Sequence, residues 1–314
     1  MNIWQKIIII FVIILLIIIG IFWLVPYREL KKGQLAAIGY SNTLPSVATI
    51  YLFNPLSRTW RQLPTDNLFP HYIAWSPDGK EIAFTYSNKS STDTPPTGIA
   101  ILSLENMQTR SIYFSSTNEK LNVVTWQPDG QSIVFDVYES NTIKAIKKID
   151  INTNKIETTF FPKIEQPNNF SINHIEITKN NDYIIGSADG IFISPANISK
   201  LFLVSSPGEI EGYFLTPDRM GITIPCEKSA LCTYSIENDE MTKMYDGTLP
   251  GFGVLTSGNW SYDMNDAVYL LQGALGEPTY IALVDIQSRQ SYIIYKFKKN
   301  YGPILWQIIW SSAK

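Results

Sequence analysis

Apolar positions follow two regimes along this chain. From Ile7 to Val25, 19 consecutive residues carry no charge, and Pro26 ends the run. A helix rising about 1.5 Å per residue would use that length to cross the roughly 30 Å hydrocarbon core of a bilayer. Trp4, Trp23 and Tyr27 stand near its ends, where amphipathic rings favour the interface. The run outlasts the apolar stretch of a cleaved signal peptide, about 7–15 residues, and closes on Trp-Leu-Val-Pro-Tyr with no small residues or lipid-accepting Cys. The pattern predicts an uncleaved transmembrane anchor over residues 1–26 and a short linker over 27–34. Beyond it, apolar residues come in short runs punctuated by Gly, Pro, Asp and Asn, the mark of strands joined by tight turns.

The second regime is periodic. Ile73-Ala-Trp-Ser-Pro-Asp-Gly-Lys-Glu-Ile-Ala-Phe84 returns as Val124-Thr-Trp-Gln-Pro-Asp-Gly-Gln-Ser-Ile-Val-Phe135. Degenerate copies begin at Ile177-Thr-Lys-Asn-Asn-Asp, Leu215-Thr-Pro-Asp-Arg-Met and Trp260-Ser-Tyr-Asp-Met-Asn, and Ile308-Ile-Trp-Ser311 resembles a sixth opening. The anchor positions 75, 126, 177, 215, 260 and 310 are 51, 51, 38, 45 and 50 residues apart. Steps of about 40–50 residues suit one four-stranded propeller blade. Within a unit, the apolar stretch before the anchor reads as strand A. Pro-Asp-Gly makes the turn, because Pro presets φ, Asp bonds back to the backbone and Gly accepts positive φ. Ile-Ala-Phe or Ile-Val-Phe then forms strand B. Leu35–Tyr40, Thr49–Phe53 and Thr59–Leu63 are three strands lacking an A strand, and the C-terminal copy is an A strand lacking the rest. The expected fold is therefore all-β, a six-bladed β-propeller over 35–314, closed by pairing of the C-terminal strand with the N-terminal blade.

The Trp-Ser-Pro-Asp-Gly-Lys-x-Ile-Ala-Phe unit resembles the WD40-like repeat of the TolB propeller family, over about nine-tenths of the chain. In the weaker copies Arg219 and Met264 replace the turn Gly, and Asn180-Asn181 replaces Asp-Gly. The resemblance implies a non-catalytic role in protein assemblies of the cell envelope.

Charge and composition narrow the chemistry. Residues 1–34 sum to +3, from Lys6, Arg28, Lys31 and Lys32 against Glu29; the remaining 21 basic and 27 acidic residues give −6. A mildly acidic body without Lys/Arg runs lacks the footprint of a nucleic-acid binder. Only two His and two Cys are present, too few for a zinc site, and no metal or other cofactor is expected. Gly-x-Ser-x-Gly, phosphate loops and His-Glu-x-x-His are missing. Asp78, Asp129, Asp218 and Asp263 recur at one turn position and read as turn residues, while Trp75, Trp126, Trp260 and Trp310 occupy the repeat anchor and read as core.

Two constellations remain. Cys226 and Cys232 flank a predicted hairpin turn, which would bring their Cα atoms within the about 5.5 Å a disulfide needs. Lys/Arg counts of one before and three after the apolar run favour a cytoplasmic body; a disulfide favours the outside. The expectation is a single-pass protein of the cytoplasmic membrane, in contact with lipid through residues 7–25, with its propeller on the extracytoplasmic side. The second constellation lies four residues before each anchor: His71, Asn122, Asn173, Glu211, Thr256 and Trp306, with His174 adjacent. Innermost strands start together at one mouth of the channel, so these side chains are expected to ring it and bind an envelope protein or peptide. The competing expectation is a glycan- or ester-cleaving enzyme using carboxylates with His71 and His174.

Overall fold

The computed structural model describes residues 5, 8–15, 34–40, 48–54, 57, 59–88, 95–115, 119–139, 142–160, 172–187, 190–195, 202–205, 213–226, 230–245, 253–260, 265–273, 280–296 and 304–311. They form an all-β, six-bladed propeller of six four-stranded antiparallel sheets. The first sheet holds β1 (Leu35–Tyr40), β2 (Ala48–Asn54) and β3 (Thr59–Gln62). The second holds β4 (Phe69–Trp75), β5 (Glu81–Ser87), β6 (Gly98–Ser103) and β7 (Thr109–Phe114). The third runs β8 (Val124–Trp126), β9 (Ser132–Glu139), β10 (Thr142–Asp150) and β11 (Ile156–Phe160). The fourth runs β12 (Ile172–Ile177), β13 (Tyr183–Ser187), β14 (Gly190–Ser194) and β15 (Phe202–Ser205). The fifth comprises β16 (Phe214–Leu215), β17 (Gly221–Cys226), β18 (Ala230–Ser235) and β19 (Glu240–Tyr245). The sixth comprises β20 (Gly253–Trp260), β21 (Asp266–Gly273), β22 (Tyr280–Asp285) and β23 (Gln290–Lys296). The last strand, β24 (Ile304–Trp310), pairs antiparallel with β1, from Leu35 opposite Trp310 to Tyr40 opposite Ile304, and so belongs to the first sheet.

Inner strands of adjacent sheets touch, β24 with β4 and β20, β4 with β8, β8 with β12 and β16 with β20, while the outermost strands β3, β7, β19 and β23 hold at most one buried residue each. Between the sheets lie apolar clusters, and alternate residues of one strand go to different clusters. In β5, Ile82 and Phe84 pack toward the first sheet and Ala83 toward the third. In β1, Ala36 and Ile38 face the second sheet, while Leu35 and Ala37 meet Val268 and Leu270 of the sixth. Strands buried on both faces read as near-continuous apolar runs, which explains segments such as Gly98-Ile-Ala-Ile-Leu102.

The anchor Trp has a specific task. A buried indole needs a partner for its N–H. Trp75 Nε1–H donates to the carbonyl of Ile309 at 3.3 Å, and Trp126 Nε1–H to that of Ala74 at 3.2 Å. Each acceptor stands one residue before the anchor of the preceding sheet. Trp260 reaches back to Thr223 Oγ1 at 2.5 Å. Gln307 joins the first sheet to the second by receiving the Ile73 N–H at 2.9 Å and donating to the Ile73 carbonyl at 3.0 Å. Trp75, Trp126 and Trp260 are thus core residues, and the first two also stitch adjacent inner strands.

The turns follow one geometry despite divergent sequence. Gly79 and Gly130 sit at φ 69° and 69°, and their replacements Asn181 and Arg219 adopt φ 66° and 59°. Asp78 Oδ1 accepts Ser76 Oγ–H and the Lys80 N–H, and Asp218 Oδ1 accepts the equivalent Thr216 and Met220 groups.

Within the predicted anchor, residues 8–15 are helical and every one is exposed. The rest of 7–25 lies outside the described residues. Among those described, no helix is long and apolar enough to cross a membrane.

The turn geometry gives paired variants of opposite sign. A Cβ on Gly130 would meet nothing closer than Pro77 at 3.7 Å, so Gly130→Ala costs only the left-handed dihedral, about 1–2 kcal/mol. Asn181→Gly should stabilise the protein by a few tenths to about 1 kcal/mol. Urea unfolding midpoints read both; shifts of the same sign would contradict a shared turn.

Candidate functional site

Five inner strands carry an irregularity at the position four before the anchor. In β4, His71 is skipped between Pro70–Tyr86 and Tyr72–Thr85. Asn173 is skipped between Ile172–Ser187 and His174–Gly186, and Thr256 between Leu255–Leu271 and Ser257–Leu270. Trp306 is skipped where β24 meets β1. In the third sheet Lys120 faces Tyr138 and Val124 faces Phe135, so three residues centred on Asn122 oppose two. The expected ring position is therefore a recurrent β-bulge, which bends the strand and re-aims the side chains around it. Glu211 lies outside the described residues, and of Thr256 and Trp306 only the backbone is described.

The bulge residues have different environments. His71 is half-buried, with Nε2 3.0 Å from Ser87 Oγ, and burial lowers its pKa to about 4, so it is neutral at ordinary pH. Asn122 Nδ2–H donates to the Ile172 carbonyl at 2.5 Å, tying the third sheet to the fourth. The N–H groups of Asn122 and Val123 both donate to Asp136 Oδ1, each at 2.9 Å. Asp136 thereby satisfies the donors that the bulge removes from the ladder. Burial pushes its carboxyl up to about 7, against the pull of these bonds. Asn173 is exposed.

The convergence of chemistry occurs one and three residues before the anchor. Tyr72 of the second sheet hydrogen-bonds through its hydroxyl to His174 Nδ1 of the fourth, past the short strand β8 of the third. His174 Nε2 lies 3.1 Å from Glu176 Oε1, and Glu176 Oε2 is 3.5 Å from Thr125 Oγ1. The imidazole packs edge-on against Tyr213, centroids 4.9 Å apart, and the Tyr213 hydroxyl stands 3.2 Å from the carbonyls of both His174 and Ile184. Arg219, in the turn of the fifth sheet, donates to the Ile177 carbonyl at 3.1 Å. His174 and Glu176 are 26% and 21% exposed, so this cluster remains open to solvent.

Its electrostatics follow from burial and one anion. Burial works to raise the Glu176 pKa, but the His174 hydrogen bond and field, then Arg219 and Thr125, outweigh it and hold the carboxyl below its usual value. Burial, followed by the charges of Glu176 and Asp136, pushes the Tyr72 phenol well above its usual value. Tyr213 moves up for similar reasons. An ionised Glu176 accepts from Nε2–H, which leaves Nδ1 to accept the Tyr72 O–H. Tyr72, His174 and Glu176 thus form a relay whose outer member holds its proton and whose His has both nitrogens engaged. Among the described residues no group of three or more His, Cys, Asp or Glu could hold a metal ion. Cys232 is disulfide-bonded, on a hairpin where it pairs with Ile224 and Cys226 with Ala230.

Of the expected ring residues whose side chains are described, only His174 enters this cluster; His71 and Asn122 bond to nearby strands instead. Tyr72, Thr125, Glu176, Tyr213 and Arg219 were not among the expected site residues. Aligned repeats do hold a signal for one of them, Glu176. The positions three and one before the anchor are Val123 and Thr125 in one copy, but His174 and Glu176 in the next.

No protein-family model matches the sequence, and no curated protein matches it. Solved structures do resemble the fold. TolB from Acinetobacter baumannii superposes with a TM-score of 0.62 at 14% identity, covering 89% of this chain and 66% of that one, just under two thirds of its length. A structure of a nidogen/laminin complex gives 0.58 at 10% identity, covering 90% and 100%. An oligogalacturonate lyase in complex with manganese gives 0.54 at 11%, covering 80% and 71%. At these identities the likeness establishes the β-propeller fold.

The buried carboxyl at the third bulge yields a pH prediction. A folded pKa of about 7 against 3.8 unfolded means that the native state holds an extra proton between those values. Stability from this group is therefore present at low pH and lost as pH rises through 7. Between pH 5 and 8, the wild type should lose about 2 kcal/mol relative to Asp136→Asn. Urea unfolding of both proteins at the two pH values checks this, and parallel pH profiles would contradict it.

Proposed function

We propose that this chain is a membrane-anchored, extracytoplasmic propeller of the TolB-like kind that binds an envelope protein or peptide at its channel mouth without transforming it. The observation that carries the non-catalytic reading is the Tyr72–His174–Glu176 relay. General acid–base catalysis needs a group ready to exchange a proton near the working pH. Here burial and neighbouring charge push the Tyr72 phenol, the hydroxyl of that relay, well above its usual value, and burial lowers the His71 imidazole to about 4, so neither is poised to exchange a proton near neutral pH. What the mouth offers is polar groups with fixed positions, which suits recognition.

Other features support the cellular placement. Residues 8–15 expose Ile, Phe, Val and Leu side chains on a helix that sits within a longer uncharged run, as a lipid-embedded segment does. Cys232 is disulfide-bonded, and Cys226 is the partner we assign to it; such a bridge belongs to an oxidising compartment. Pairing of β24 with β1 supports a ring closed within a single sheet, in which the inner strand comes from the end of the chain.

An enzymatic reading rests on the same relay, because a hydroxyl bonded to a His that is oriented by a carboxylate has the connectivity of a catalytic triad. The two readings separate experimentally. The full chain, purified with its membrane, should retain one stoichiometric protein partner. Asn173→Ala should weaken that retention at least several-fold, whereas Met241→Ala on the outer edge should leave it intact. Failure to retain a partner, together with turnover of glycan or ester substrates that Tyr72→Phe abolishes, would replace binding with catalysis.

A further inference from the structure

Building on the anchored reading, we infer that the anchor holds the turn face of the propeller toward the bilayer and turns the bulged mouth away from it, toward a soluble partner. Strand directions fix the two faces. Strands β4, β12, β20 and β24 run from bulge to anchor and β8 follows its bulge, so the turns β4–β5, β8–β9 and β12–β13 lie on one face. The bulge residues His71, Asn122 and Asn173 lie at the other. β1 runs opposite to β24 and begins beside Trp310, so the linker enters the propeller on the turn face. Ser311 N–H donates to the Gln34 carbonyl at 2.8 Å, pinning the entry point at an inner part of the first sheet.

Length then excludes the reverse pose. The linker Tyr27–Gln34 is eight residues, with a contour of at most about 28 Å. To lay the mouth on lipid, it would have to pass outward over β2 and β3, about 10 Å, and then along the full height of a seven-residue strand, about 23 Å. Side chains at the rim add to that path. The mouth is therefore beyond the reach of the bilayer surface.

Loop lengths agree with this division of labour. On the turn face, the first and second strands of the second to sixth sheets are joined by five residues each. At the mouth, the connections that lead into the inner strands span 6 to 11 residues. Binding residues concentrate in longer loops on a rigid scaffold. The partner that this pose admits at the mouth is a soluble protein or peptide, and it excludes a lipid headgroup.

The full chain in phosphatidylcholine/phosphatidylglycerol vesicles carrying a headgroup acceptor dye tests this. Donor dye is attached at Ser288→Cys on the turn face or Asn67→Cys at the mouth, both exposed positions. A height difference of roughly 23 Å should give about twofold higher energy transfer from position 288 than from 67. Equal transfer, or higher transfer from 67, overturns the pose while leaving the anchor intact. Failure of the chain to float with the vesicles overturns the anchored reading and the pose with it.

Discussion

Every sheet of this propeller buries both faces, and the apolar side chains it sends each way are useful only if the neighbouring sheet is in register to receive them. In β6, Ile99 and Ile101 pack into the cluster shared with the third sheet, and Ala100 and Leu102 into that shared with the first. A slip of one residue would exchange the two sets and place each in a space shaped for the other. Register is therefore the constraint on which the rest depends. The indole of Trp75, the indole of Trp126 and the amide of Gln307 enforce it by hydrogen bonds that cross between inner strands.

Against that strict alternation, the bulge is a controlled exception. It adds one residue to the inner strand, leaves donors to be satisfied and changes which way the following side chains point. In the third sheet the donors are taken by Asp136, at the cost of an enclosed carboxyl. In the second and fourth, the residues just past the bulge are Tyr72 and His174, and they meet across the third sheet. The same device that interrupts pairing thus builds the polar centre of the channel.

That centre draws on the copies that depart most from the repeat. Glu176, His174 and Arg219 all come from weak copies, and Arg219 occupies a turn position where the strong copies have Gly. Arg219 bears a left-handed backbone there, while its side chain bonds to the neighbouring sheet and its charge helps to keep Glu176 ionised. The charged members of the cluster thus come from divergent copies, while the strong copies contribute the hydroxyls of Tyr72 and Thr125.

Much of the architecture was legible from the chain. The strand extent Leu35–Tyr40, the Asp-centred turns, the blade count and the core role of Trp75, Trp126 and Trp260 all follow from local chemistry and period. So does the hairpin that brings Cys232 near Cys226, because a short turn sets its own register. The composition of the channel cluster was not legible. Counting along the repeat identifies equivalent positions, and it found the bulge position in five copies, but it treats a strand as evenly alternating. An extra residue in the ladder breaks that rule, and it is visible only where two strands lie side by side. Tyr72 and His174 are 102 residues apart and sit on sheets that are not neighbours. Their contact depends on how far a three-residue strand leaves the centre open, a property of the assembled ring that no single segment encodes.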